Sequence, residues 1–266
     1  MYKTIVINLP ERTERLERMR TYWTRPFEVV PGIRHPMPHS GCGLAHIAAI
    51  RRGLEDPNTP FCLVLEDDVR LKDATTFDDL FSSIQEIAKY VSSWDVVVLG
   101  AQHDSTDPES VEVENLHVTK VHPNHVICQP TSRLISTQSC VWSRSALPLL
   151  DEYEAALTRG LFLPIDRLVF NNRWSPDDKS TWETCLEINR KIPHDKMPPA
   201  CSWTPPRCWI RVPPITTQDT EFFSDHTGEQ NEDLTTENAV LFSGLSMAET
   251  IVPDTRTPRP LAIHVD

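Results

Sequence analysis

Over the first hundred residues, short apolar runs alternate with segments whose apolar positions recur every three or four residues. "KTIVINL" (3–9) is β-branched and reads as a buried first strand. "PERTERLERMRTYW" (10–23) carries Leu16, Met19 and Trp23 on one face behind Pro10, a residue suited to a helix start. "FEVVPG" (27–32) predicts a second strand. "HSGCGLAHIAAIRRGLED" (39–56) predicts a helix with Leu44, Ile47, Ala48 and Leu54 inward. "FCLVLEDDV" (61–69) is a third strand. "FDDLFSSIQEIAKYV" (77–91) spaces Phe77, Leu80, Phe81, Ile84, Ala88 and Val91 as a helix does, and "WDVVVLG" (94–100) is another strand. Strands alternating with helices predict an α/β fold whose central sheet is mostly parallel and flanked by helices.

After residue 100 the pattern loosens. "AQHDSTDPESVEVEN" (101–115) is polar and loop-like, "TSRLISTQSCVWS" (131–143) suits a strand pair, and "SALPLLDEYEAALTRG" (145–160) is helix-like. From Ile192 to Pro260 prolines are dense and strand signals short, which predicts loops laid over the active face without a core of their own. One domain over 1–228 is expected, with a C-terminal extension over 229–266 that is acidic and Thr-rich.

Composition narrows the class. The chain has 266 residues, 39% hydrophobic and 24% charged, with a net charge of −12. That charge disfavours an extensive nucleic-acid surface. Seven cysteines without a CxxC pair read as reduced thiols of a cytoplasmic protein. "MYKTIVINLP" lacks the long apolar core of a signal peptide, and no apolar stretch approaches the ~18 residues that span a bilayer. Work on membrane glycans would be done from the membrane surface.

The chemistry concentrates where the third strand runs into Glu66, Asp67 and Asp68. In an open parallel sheet, ligands bind beyond the carboxyl ends of the strands. Three adjacent anions repel one another, so a cation should compensate them. Mn²⁺ or Mg²⁺ is the economical choice, because hard cations take carboxylate oxygens together with substrate phosphates. The alternative is a solvated acidic loop.

Four blocks carry a likeness: "IVINLPERTERLERM", "GCGLAHIAAIRRGLE", "FCLVLEDDV" and "TTQDTEFFSDHTG" (216–228), with "WDVVVLG" and "LPIDRLVF" (163–170) as weaker matches. In order and spacing they resemble glycosyltransferase family 25, the lipooligosaccharide and collagen galactosyltransferases. Two departures stand out. Ala45 occupies a position where that family usually has Ser before the His, and 101–130 matches no family block. The resemblance implies a GT-A-like fold and an inverting hexosyltransferase. It would move galactose or glucose from a uridine diphosphate carrier to an acceptor hydroxyl. Lipooligosaccharide, another glycan, a protein side chain and a modified base of viral DNA are all open as acceptors.

On that reading Asn8, Leu9 and Arg12, with Arg15 beside them, would contact the nucleotide, since a guanidinium suits phosphate. The alternative is an ordinary charged helix face. His46 would bind substrate or tie its helix to the acidic loop. Glu66 and Asp67 would hold donor groups or metal. Asp68 would ligate the metal, with Asp225 or His226 completing its shell, unless "SDH" is only a turn before Gly228. Inversion needs a base for the acceptor hydroxyl. Asp166, set among apolar residues in "LPIDRLVF", is either that base or a helix N-cap. Asp219 and Asp95 are the alternatives, Asp95 more plainly marking a strand start. Two other classes remain: a sugar-nucleotide or glycan-binding module without turnover, and a metal-dependent phosphohydrolase, which the dispersed histidines disfavour.

Overall fold

The computed structural model describes residues 2–35, 38–72, 75–100, 102–103, 117–122, 125–129, 134–158, 165–170, 206–212 and 214–219. Strands β1 (Thr4–Asn8), β2 (Glu28–Pro31) and β3 (Phe61–Glu66) form a parallel group in the order β2-β1-β3, with Ile5 opposite Glu28 on one side and Val64 on the other. Strand β5 (Val96–Val98) lies beyond an antiparallel strand, Ser139–Ser143, which separates it from β3. Cys208–Val212 follows, parallel to β5, and then the antiparallel pair His125–Gln129 and His117–His122. In chain order these are β7 (117–122), β8 (125–129), β10 (139–143) and β11 (208–212). Their pairings run six strands of the sheet one way, with β10 and β8 opposed. The fold is α/β, with a mostly parallel sheet in the sense of strand direction.

Alternation along each strand builds two cores, one on each face, because successive strand side chains point to opposite sides. On one face lie Ile5, Cys62, Val64, Val96, Val98, Cys140, Trp142, Cys208 and Ile210. They pack under helices α2 (Pro38–Gly53), α4 (Leu147–Thr158) and α5 (Ile165–Phe170). On the other lie Val6, Leu63, Leu65, Val97, Val141 and Trp209, under α1 (Thr13–Tyr22) and α3 (Phe77–Ala88). Strands buried on both faces read as continuous apolar runs, which is why "FCLVL" and "VVV" carry no polar alternation. Helix α3 starts on a capping box between Thr76 and Asp79. Trp23 closes the α1–α3 contact edge-on against Phe77 and Phe81, with ring centroids 5.1 and 6.2 Å apart.

Two expectations are corrected. The stretch from Ile192 to Pro260 contributes more than covering loops: β11 is an interior strand of the central sheet, and Trp209 and Ile210 belong to its cores. The third strand stops at Glu66, and after a two-residue turn β4 (Val69–Leu71) leaves for a separate ladder with β12 (Thr216–Gln218). A two-residue pairing of β6 (Gln102–His103) with β9 (Leu134–Ile135) completes the strands among the described residues. Residues 229–266 lie outside the described residues.

Asp95 precedes β5 and is fully buried. It accepts from Ser145 Oγ at 2.6 Å, the Arg207 backbone N at 2.8 Å and Arg207 Nη2 at 2.9 Å. Burial pushes its carboxyl up, but these bonds outweigh that and hold it below the usual Asp value. A depressed carboxyl stabilises the fold above its unfolded pKa and loses that contribution as pH falls through the folded value. Asp95→Asn is therefore expected to cost about 3 kcal/mol at pH 7, where it strands a mostly buried guanidinium. The gap to the parent protein should narrow as the pH drops below about 3.9. Urea unfolding at both ends of that range measures it; a gap independent of pH would refute the ionic account.

Candidate functional site

Strands β1, β2 and β3 end at the same edge of the sheet, and a cleft of about 160 Å³ opens there. Its wall takes Ile7 and Leu9 from the end of β1, Gly32, Ile33, Arg34 and His35 from the segment after β2, and Glu66, Asp67 and Asp68 from the end of β3. Helix α2 adds Pro38, Cys42, Ala45 and His46, α1 adds Arg15, and β12 adds Gln218. Helices α1 and α2, on opposite faces, carry the chain from β1 to β2 and from β2 across to β3. The cleft therefore lies at a switch point of the topology, where open α/β sheets bind ligands.

The cation expected opposite the acidic cluster is in part supplied by the chain. Arg15 lies on the buried stripe of α1, four residues before Met19 and eight before Trp23. Its Nη1 is 3.1 Å from Asp67 Oδ1 and 3.5 Å from Asp68 Oδ2, with Arg15 and Asp68 both buried. A charge-assisted bond of this kind fixes two carboxylates in a low-dielectric setting where either alone would be costly.

The third carboxylate turns toward α2. His46 is buried, and its Nε2 lies 3.1 Å from Glu66 Oε1, while Nδ1 has no hydrogen-bond partner. Cys42 sits one turn before His46 on the same helix face. Burial raises its thiol pKa well above the usual value, and the charges of Glu66, Asp166 and Asp68 raise it further. The helix is held close by two glycines. A Cβ on Gly41 would strike the Ile33 carbonyl oxygen, and one on Gly43 would come within 2.5 Å of Tyr153 Oη.

Asp219 sits one residue past β12, and its backbone N donates to the Asp68 carbonyl at 2.7 Å. The β12–β4 ladder thus carries the late "TTQD" block onto the acidic cluster, across some 150 residues of chain. Its carboxylate is shared by Arg70 and Arg18, at 2.5 and 3.2 Å. Asp166 falls in the first turn of α5, half-buried. It stands outside the cleft wall, and its charge reaches Cys42 and Tyr153.

Of the candidate residues, the structure brings Leu9, His46, Glu66, Asp67 and Asp68 to one cleft, together with Arg15. Asn8 is buried beneath it and donates to the Leu9 carbonyl at 2.7 Å. Arg12 occupies the position before α1 without a side-chain capping bond, 3.7 Å from Glu14, and stands off the wall. Asp95 belongs to the Arg207 pair. Asp225 and His226 lie outside the described residues. Sequence reasoning passed over Arg34, His35 and Gln218. The first two follow directly on the end of β2 in "PGIRH", so the rule that points to Glu66 points to them as well.

Among the described residues no helix is long and apolar enough to cross a membrane. No family model matches the chain, and no curated protein matches it. Nineteen chains of solved structures match. One is A197 from STIV, 14% identical, with a TM-score of 0.32 over 79% of this chain and 81% of that one. Another is a glycosyltransferase involved in the glycosylation of the major capsid of PBCV-1, 16% identical, with a TM-score of 0.31 over 72% and 78%. Neither superposition is close enough to carry an argument.

Proposed function

We propose that the chain is a glycosyltransferase that takes a hexose from a nucleoside-diphosphate carrier and passes it to an acceptor hydroxyl with inversion. The reading is carried by one observation: three consecutive carboxylates, partly neutralised by a buried Arg15, face a switch-point cleft that also presents Arg34 and His35. A diphosphate donor calls for cationic groups, which a pocket at the strand ends would supply together with carboxylates suited to a divalent ion. Arg34 and His35 would meet the diphosphate from the wall, and Leu9 would offer an apolar surface to the nucleoside. Arg34 is paired with Glu11 at 2.5 Å and would have to exchange that partner.

The cleft's donor set fits Mn²⁺ or Mg²⁺. Its carboxylate oxygens are hard, and Glu66, Asp67 and Asp68 against Arg15 and Arg34 leave one negative charge over. Asp68 and Asp67 would hold such an ion, which would stabilise charge on the departing diphosphate. Arg15 keeps both carboxylates in place whether or not an ion is present. Asp166 is the proposed base and would accept the acceptor hydroxyl's proton. Asp219 ranks below it because two guanidiniums already engage its carboxylate.

The test is a panel of nucleotide sugars with Mn²⁺, read as release of nucleoside diphosphate and as a shift in melting temperature. Turnover is expected with a uridine diphosphate hexose, lost in excess chelator and reduced at least about 100-fold in Asp68→Asn. Full turnover by metal-stripped protein removes the metal. Donor binding without turnover leaves a binding module, and release of inorganic phosphate points to a hydrolase.

A further inference from the structure

A second cluster on the same wall has a different chemistry. Cys42, His46 and Glu66 bring a sulfur, an imidazole nitrogen and a carboxylate oxygen within 4.8 Å of one another. Cys42 and His46 share a face of α2 at a spacing of four, and Glu66 closes the set from the last position of β3. We propose that these three residues form a binding site for a borderline-soft divalent cation of the zinc class, distinct in ligand type from the hard-oxygen set of Asp67 and Asp68.

Three features argue for a ligand here rather than for simple packing. The first is the imidazole of His46. It is 1% exposed, one nitrogen meets Glu66, and the other is buried with no hydrogen-bond partner. Glu66 engages one ring nitrogen and no protein group engages the other, so this imidazole has bonding capacity that the protein does not use. A buried polar atom left in that state is costly, and a metal bond is one way to satisfy it. The second is the charge around the sulfur. Glu66, Asp166 and Asp68 all act on Cys42, a field that suits a cation and opposes a bare thiolate. The third is access. All three residues line the cleft, which leaves room for an ion to enter and for a water as fourth ligand.

Ligand type selects the ion. A thiolate with an imidazole favours zinc and its neighbours over magnesium, manganese or calcium. Zinc bonds of about 2.0–2.3 Å require the set to draw in by about 1 Å, within the reach of side-chain rotation. Binding exchanges one proton for the metal: Cys42 S–H gives up its proton to solvent as the zinc–sulfur bond forms. Affinity therefore rises with pH. None of this depends on the transferase reading, and the measurements below do not involve turnover.

The full chain, stripped with chelator, is titrated with Co²⁺ as a coloured stand-in and then with Zn²⁺. One equivalent of Co²⁺ is expected to give a thiolate-to-cobalt charge-transfer band that Zn²⁺ abolishes by displacement. Cys42→Ser, nearly isosteric, should remove the band, and His46→Gln should weaken zinc binding by more than about 100-fold. Zinc should also protect Cys42 of the parent protein from alkylation, mapped by mass spectrometry, which needs no variant to fold. Absence of a charge-transfer band in the parent protein would overturn the proposal. So would a band that survives in Cys42→Ser, or alkylation of Cys42 that zinc leaves unchanged.

Discussion

Replacing Arg15 by methionine is expected to lower the stability of the folded chain by about 3–5 kcal/mol. Methionine keeps the helix propensity and much of the volume, so the loss isolates the charge. Asp67 and Asp68 lie 3.1 and 3.5 Å from the guanidinium, and Asp68 is 7% exposed. Without the arginine their carboxylates remain in the protein with less compensation, and a stranded buried charge costs more than the pair contributed. Urea unfolding of Arg15→Met, Asp68→Asn and the double variant forms a cycle. The double variant should recover part of the loss, because removing one anion relieves the one left unpaired. A change below about 1 kcal/mol in Arg15→Met is the value of a solvated surface pair, and it would sink the claim that α1 neutralises the acidic cluster.

Asp166→Asn separates a catalytic carboxylate from a helix-start residue. If Asp166 takes the acceptor proton, the amide cannot, and turnover should fall by about 10²–10⁴. Donor binding, measured by the shift in melting temperature, should hold, since Asp166 stands outside the wall formed by Leu9, Arg34 and Glu66. If Asp166 serves only the first turn of α5, loss of its charge costs about 0.3–1 kcal/mol of stability and no rate. Wild-type turnover would move the assignment to Asp219. There, Asp219→Asn should also loosen Arg70 and Arg18, and so cost stability together with rate.

The elements with strong local signals were legible in the sequence. β1, β2, β3, α2, α3 and β5 fall inside or within a few residues of the predicted spans, because each has either a doubly buried apolar run or an apolar stripe. The location of the acidic cluster followed from the same strands. Three things were not legible. The insertion of β10 between β3 and β5 depends on which strand edges are free in three dimensions, and "SCVWS" carries no mark of its partner. β11 is five residues long and bounded by "PPR" and "PP", so it reads as loop until the edge of β5 claims it. The role of Arg15 was hidden by its neighbours. "ERTERLER" looks like a solvated charge mixture, and only the positions of Met19 and Trp23 place this one arginine on the buried stripe.

The position of β11 also sets a timetable for the chain's own assembly. β10 ends at Ser143 and β11 begins at Cys208, so on the order of 3–13 s of synthesis separates them on a ribosome. Through that interval the edge of β5 has no β11 to pair with, and the β7–β8 hairpin lacks the strand that joins it to the rest of the sheet. Open strand edges recruit other chains, so this is the window in which a nascent molecule is most exposed to its neighbours. Gln218 and the Asp219 backbone that meets Asp68 arrive later still. The pocket is thus finished only when the sheet has been closed behind it, and a half-made chain cannot hold the full wall.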